Sequence, residues 1–205
     1  MKNISLKLRD HYREKFLKYG QTPKGVDWKD KKSADIRYKI MLNVLKSNHK
    51  NKSILDIGCG YGGFYNFLQK RDSSIKYFGI DIVEEMIGEA QKSYPSGIFY
   101  NMDFLNNNFS FKFDYMICNG VLTQKLSISE GEMEKFTKKI IKKMFSLSNL
   151  GCCMNLMTTE CNFYSNNLFY KCPKKTLDFC LSEITKKVKI DHSYGLYEYT
   201  IYLYK

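Results

Sequence analysis

No stretch of the 205-residue chain approaches the run of about 20 apolar residues that a membrane span requires. Its first residues, Met-Lys-Asn-Ile-Ser-Leu-Lys-Leu-Arg, lack the apolar core of a secretory signal. Those two absences favour a cytoplasmic protein with no membrane partner. Cysteine pairing is missing as well: the seven cysteines (Cys59, Cys118, Cys152, Cys153, Cys161, Cys172, Cys180) are odd in number and contain no CxxC spacing. A zinc site is therefore poorly supported. Cys161, Cys172 and Cys180 could in principle gather, but buried reduced thiols and no metal are the expectation. Neither an internal repeat nor a domain linker is visible. The chain reads as one domain, with residues 1–50 a helical cap and 51–205 the core.

What is present is an uneven charge. Residues 1–52 hold 15 basic and 5 acidic side chains, accounting for +10 of the net charge of +12. Electrostatics of this kind draws an anionic partner, whether a phosphorylated metabolite or nucleic acid. A chain rich in Lys, Asn and Ile also acquires such an excess from coding composition alone. Hydrophobic content of 43% and aromatic content of 15% are those of a globular chain.

The most informative stretch is Ser53-Ile-Leu-Asp-Ile-Gly-Cys-Gly-Tyr-Gly-Gly-Phe64. A strand that carries an acid and turns through glycines into a helix is suited to a nucleotide-like ligand, because glycine permits positive φ and close backbone approach. Two helices are expected ahead of it, over residues 3–19 and from an N-cap at Ser33 to about Ser47. After it, strands at 54–57, 76–81, 98–100, 114–118 and 151–157 alternate with helices at 62–70, 84–92, 131–147 and 174–184. Strict alternation of this sort means βαβ crossovers and a parallel sheet with helices on both faces. The last 18 residues depart from it: strands at 188–192 and 196–204, joined at Tyr194-Gly195, make an antiparallel hairpin. The lysines at 135, 138, 139, 142 and 143 lie opposite the apolar stripe of their helix and are expected to be solvated.

Gly58, Gly60 and Gly63 also satisfy the dinucleotide fingerprint GxGxxG, so an NAD-type oxidoreductase has to be weighed. Asp56, two residues before the first glycine, would repel a pyrophosphate but can hold an ammonium. Asp81, 25 residues further on, can accept ribose hydroxyls for either cofactor. With the terminal hairpin, these features favour S-adenosylmethionine.

On these residues the chain resembles the class I S-adenosylmethionine-dependent methyltransferases. Leu55-Asp-Ile-Gly-Cys-Gly-Tyr-Gly62 is similar to their first motif and Gly79-Ile-Asp-Ile82 to their second. Asn101-Met-Asp-Phe104 is similar to the third, and Phe113-Asp-Tyr-Met-Ile-Cys-Asn-Gly-Val121 to the fourth. The resemblance implies a Rossmann-like, doubly wound α/β sheet of seven strands in the order 3-2-1-4-5-7-6, with strand 7 antiparallel. It also implies that Asp56, Gly58, Cys59, Gly60, Asp81, Ile82, Met86, Met102, Asp103, Phe104, Asn119 and Gly120 bind the cofactor, which leaves as S-adenosylhomocysteine. The lesser alternative for Asp103 is a turn residue before the polar Asn106-Asn-Asn108 loop.

The acceptor is harder to read, since the cofactor carries the chemistry. The fourth motif is not the Asn-Pro-Pro-Tyr type of amine methylation, and Cys172-Pro173 lies too far on to be a cytosine-methylating nucleophile. The pattern is similar, more loosely, to small bacterial methyltransferases encoded among surface and capsular polysaccharide genes. That similarity implies O-methylation of a small polar, anionic metabolite, sugar or phosphoramidate-type group. An RNA methyltransferase and a non-catalytic methyltransferase-like subunit are the alternatives, although nucleic acid is disfavoured because no ancillary RNA-binding module fits this length. Tyr12, Tyr19, Trp28 and Lys125 are candidates for the acceptor pocket and its lid. Arg37 is a candidate for the cofactor carboxylate, or else for an ion pair with Asp35 or Asp30. His192, and after it His11, are the general-base candidates because imidazole titrates near neutrality.

Overall fold

A computed structural model of the chain describes residues 2–47 and 49–205. Helix α1 (Lys2–Tyr19), a 3₁₀ turn (Pro23–Val26) and helix α2 (Lys31–Leu42) precede the sheet. There follow β1 (Ser53–Ile57), α3 (Gly63–Gln69), β2 (Lys76–Asp81), α4 (Glu84–Ser93), β3 (Ile98–Asn101) and β4 (Phe113–Cys118). The chain continues through α5 (Glu130–Leu147), β5 (Ser148–Thr158), β6 (Tyr170–Lys171), α6 (Pro173–Glu183), β7 (Val188–Asp191) and β8 (Glu198–Tyr204).

The strands form one sheet in the order β3-β2-β1-β4-β5-β8-β7, with β6 paired to the end of β5. β8 runs antiparallel to both β5 and β7. This is the expected order with one addition, since the two-residue β6 makes eight strands and shifts the hairpin to β7 and β8. The hairpin connection is also longer than a tight turn: pairing ends at Asp191 and Thr200.

Period-two alternation explains why the sheet is covered twice. Along β1 and β4, Leu55, Ile57, Met116 and Cys118 face a core shared with α1 and α5. Ile54, Tyr115 and Ile117 face the opposite core, under α2 and α3. Each fully buried Leu, Ile or Met contributes roughly 1.5–3 kcal/mol, so these two faces, and not the surface ion pairs, hold the layers together. α5 is aligned by Met133, Phe136, Ile140 and Met144, all buried. Its start is defined by a reciprocal cap in which Ser129 and Glu132 each accept the other's backbone N–H.

The start of α2 differs from the sequence expectation. Asp30 is the N-cap and Ser33 stands three positions inside, returning a hydrogen bond to Asp30. The helix ends at Leu42, because Asn43 closes it onto Ile40 and Met41. Cys59, Cys118, Cys152, Cys153 and Cys180 are buried free thiols; Cys161 and Cys172 are half-exposed. Among the described residues no helix is long and apolar enough to cross a membrane.

Candidate functional site

At the carboxyl ends of β1, β2 and β4 the sheet opens into a cavity. It lies where the strand order reverses between β1 and β4, the place where open α/β sheets bind ligands. α1 covers it with Ser5, Leu8 and Tyr12, and the turn after α1 adds Val26 and Trp28.

The floor is the β1–α3 turn. Gly58 has φ +75°, and a Cβ there would stand 2.2 Å from the Val121 side chain. Gly63 is required for a different reason: a Cβ would stand 2.2 Å from the Tyr38 hydroxyl, which reaches over the turn from α2. Gly62, by contrast, is packed under Tyr94 and Phe99.

Three carboxylates line this space, one from each of the strands β1, β2 and β3 or the turn after it. Asp56 is 2% exposed and accepts a hydrogen bond from the Tyr77 hydroxyl at 2.7 Å. Burial, with a smaller contribution from the Asp81 charge, pushes its carboxyl up to about 7 against the opposing Tyr77 bond. Asp81 accepts from the Gly60 and Val83 backbone N–H groups, both at 2.9 Å, and burial raises its carboxyl against these bonds. Each oxygen retains a lone pair for a further donor. Asp103 accepts from the Leu105 and Asn106 N–H groups and from the Asn106 side chain, so it builds the turn that carries Phe104 and Leu105. The two readings of Asp103 are thus compatible, because it shapes the turn and lines the cavity.

After β4, Gly120 adopts φ +89° and its N–H donates to Asn155 Oδ1 at 2.7 Å. Asn155 in turn donates to Glu198 at 2.6 Å. Beside Gly120, the buried Asn119 amide has neither its Nδ2 nor its Oδ1 matched by a partner among the described residues. An amide orphaned on both atoms inside a cavity points to a ligand with a donor and an acceptor.

Of the residues that sequence reasoning assigned to the cofactor, Asp56, Gly58, Cys59, Gly60, Asp81, Ile82, Met86, Met102, Asp103, Phe104, Asn119 and Gly120 all line this one cavity; so do Tyr12 and Trp28. Five other candidates are placed elsewhere. Arg37 pairs with Glu198, neither Asp35 nor Asp30, and its guanidinium lies 5.0 Å from the Trp28 ring. His11 is joined to Asp27 at 3.0 Å. Lys125 donates to the Asn166 carbonyl, and Tyr19 is exposed beneath Lys18. His192 is exposed at the β7 end with its ring 6.2 Å from Tyr199, outside the cavity lining. The general-base assignments to His192 and His11 therefore do not fit the geometry.

The lining also includes Leu8, Tyr38, Tyr61, Val121, Phe136 and Ile140, which sequence reasoning did not single out for the site. Phe136 and Ile140 sit on the apolar stripe of α5, where a core role and a lining role look alike. Lys143, expected to be solvated, instead donates to the carbonyls of Phe104, Leu105 and Asn107 and pins the Asp103 turn to α5.

A family model described as a methyltransferase domain matches residues 48–194. The chain belongs to that family. A Mycobacterium tuberculosis protein provisionally named methyltransferase Rv1506c is 29% identical over 156 residues, 75% of this chain and 93% of that protein. Among solved structures, magnesium protoporphyrin IX methyltransferase from Synechocystis PCC 6803 with bound SAM superposes with a TM-score of 0.68 at 16% identity, covering 98% of this chain and 96% of that one. The N-methyltransferase NodS from Bradyrhizobium japonicum WM9 with S-adenosylhomocysteine gives 0.67 at 15%, covering 97% and 98%. At these identities the two structures establish the fold: the methyltransferase sheet with its helical N-terminal segment.

Proposed function

We propose that this methyltransferase uses S-adenosylmethionine and transfers the methyl group to oxygen on a small polar acceptor. The observation that carries the reading is the placement of Asp56, Asp81 and Asp103 across the ends of successive strands in one covered cavity. In strand order they offer an acid for an ammonium, an acid for a ribose and a turn flanked by Met102 and Phe104 for a base. The Asn119 amide, orphaned on both atoms, can take up a polar partner in the same cavity, so the residues present fit the cofactor. When bound, it supplies an electrophilic methyl on a sulfonium. The chain's part is to hold, orient and exclude water: Leu8, Tyr12 and Trp28 close the side away from the sheet.

The cover of α1 over the cavity favours a small acceptor over a structured polymer. An anionic acceptor, by contrast, finds no Lys, Arg or His among the described residues that line the cavity. Several cations of the N-terminal segment are neutralised by partners: Arg9 by Asp10, Arg13 by Glu85, Lys15 by Asp27 and Arg37 by Glu198. The surface and capsular polysaccharide reading, with a sugar or phosphoramidate-type acceptor, therefore rests on its uncharged hydroxyls more than on charge.

Calorimetry with S-adenosylhomocysteine tests the cofactor assignment. Wild-type protein should bind in the micromolar range and Asp81→Ala should lose at least tenfold, having lost the ribose acceptor. Undiminished binding by the variant would remove the ribose role. A mass-spectrometric search for a 14-dalton gain (roughly, one methyl replacing one hydrogen) on sugars and nucleotide-linked sugars then identifies the acceptor.

A further inference from the structure

In class I methyltransferases of this architecture the cofactor lies across the strand ends, and the acids here put its adenosine over β3 and β2 and its amino-acid end at β1. Asp56 provides for the ammonium there. A carboxylate at the same end needs donors, and none of the lining side chains among the described residues is a cation. Arg37, one residue before Tyr38, is spent on Glu198 through Nε and Nη2. Its remaining nitrogen, Nη1, is buried and does not line the cavity.

Tyr38, the next residue of α2, does line the cavity. Its ring is 9% exposed and wedged among Trp28, Phe64 and Phe67, with centroids 5.4–5.8 Å away. In that lining its hydroxyl makes no hydrogen bond to another described residue, which leaves it available to donate to a ligand. The hydroxyl stands over Gly63, the residue whose missing Cβ makes room for it. Gly63 opens α3 directly after the turn that follows Asp56, so hydroxyl and carboxylate share the β1 end of the cavity. Burial, with smaller contributions from Tyr61 and Asp56, raises the phenol well above its ordinary value and keeps it a donor. The Asn119 amide, unpartnered on both atoms, and the Trp28 indole lie beside Gly120 on the β4 side.

We infer that the Tyr38 hydroxyl donates to the carboxylate of the bound cofactor, so that Tyr38 and Asp56 clamp its zwitterionic end, with a neutral phenol in place of the arginine that the sequence suggests. This assignment rests on the S-adenosylmethionine reading. A hydrogen bond to a charged group is lost in Tyr38→Phe, while the ring and its packing remain.

The test compares two probes by calorimetry, S-adenosylhomocysteine and 5′-methylthioadenosine, which keeps the adenosine and thioether but has no amino-acid end. Tyr38→Phe should weaken S-adenosylhomocysteine about tenfold or more and leave 5′-methylthioadenosine within twofold of wild type. Equal affinities of wild type and variant for S-adenosylhomocysteine overturn the assignment, as does an equal loss for both probes, which would mean that the ring merely shapes the pocket. If wild-type protein binds neither probe, the cofactor reading itself fails, and that outcome is separate from the other two.

Discussion

Asp56 is the residue on which the proposed cofactor reading turns most directly. A carboxyl raised to about 7 by burial is half protonated near neutrality in the free protein. A ligand ammonium stabilises its carboxylate form and lowers its pKa in the complex. Binding is then strongest above pH 7 and weakens as pH falls through that value, because a proton must be released before the ammonium is seated. The account predicts that S-adenosylhomocysteine affinity falls between pH 8 and pH 6, approaching a tenfold loss per unit at the lower end. Asp56→Asn should bind weakly at both pH values with a flat profile. Calorimetry at the two pH values checks both, and a wild-type profile as flat as that of the variant removes Asp56 from the ammonium. The place of Asp56 in the cavity was legible, since an acid just before a glycine turn falls at the end of its strand. The partner of Arg37 was not: Glu198 lies 161 residues away, and no local pattern records that pairing. His192 misled because imidazole chemistry is a property of the residue, whereas its position at an exposed strand end is a property of the fold.

Elements carry the site through contacts that join segments distant in the chain. Glu198 on β8 holds Arg37 of α2 and, through Asn155 of β5, the Gly120 turn after β4. Removing its charge leaves the guanidinium, 12% exposed, without compensation. Glu198→Gln should therefore destabilise the protein by about 3 kcal/mol, measured by urea unfolding. Hydrogen exchange should rise at Gly120 together with the amides of α2; an unchanged midpoint would show the network to be ornamental. The regular elements were readable because their periods are strong: the α5 stripe and the buried runs of β1 and β4 leave little choice. β6 was invisible, since two residues carry no period, and it exists only because the chain after β5 returns along that strand's end. The α2 start was misplaced because Ser33 and Asp30 are both good caps, and the reciprocal pair makes the acid the cap and the serine its answer.

For the whole molecule, the arrangement concentrates function along one edge of the sheet. The parallel strands β1 to β4 present their carboxyl ends to the cavity, and α1 folds back over it. The antiparallel β7–β8 pair extends the far side, so that β8 can supply Glu198. The N-terminal positive charge, so prominent in the composition, is partly consumed by ion pairs in the folded chain and does not line the cavity. The central claim is that the glycine turn and its acids form a pocket for a sulfonium donor and not for a dinucleotide. Titration of the wild-type protein with S-adenosylhomocysteine and, separately, with NAD at pH 8 tests it most directly. Micromolar binding of S-adenosylhomocysteine with no detectable heat from NAD is the predicted result; binding of NAD in preference to S-adenosylhomocysteine would contradict it.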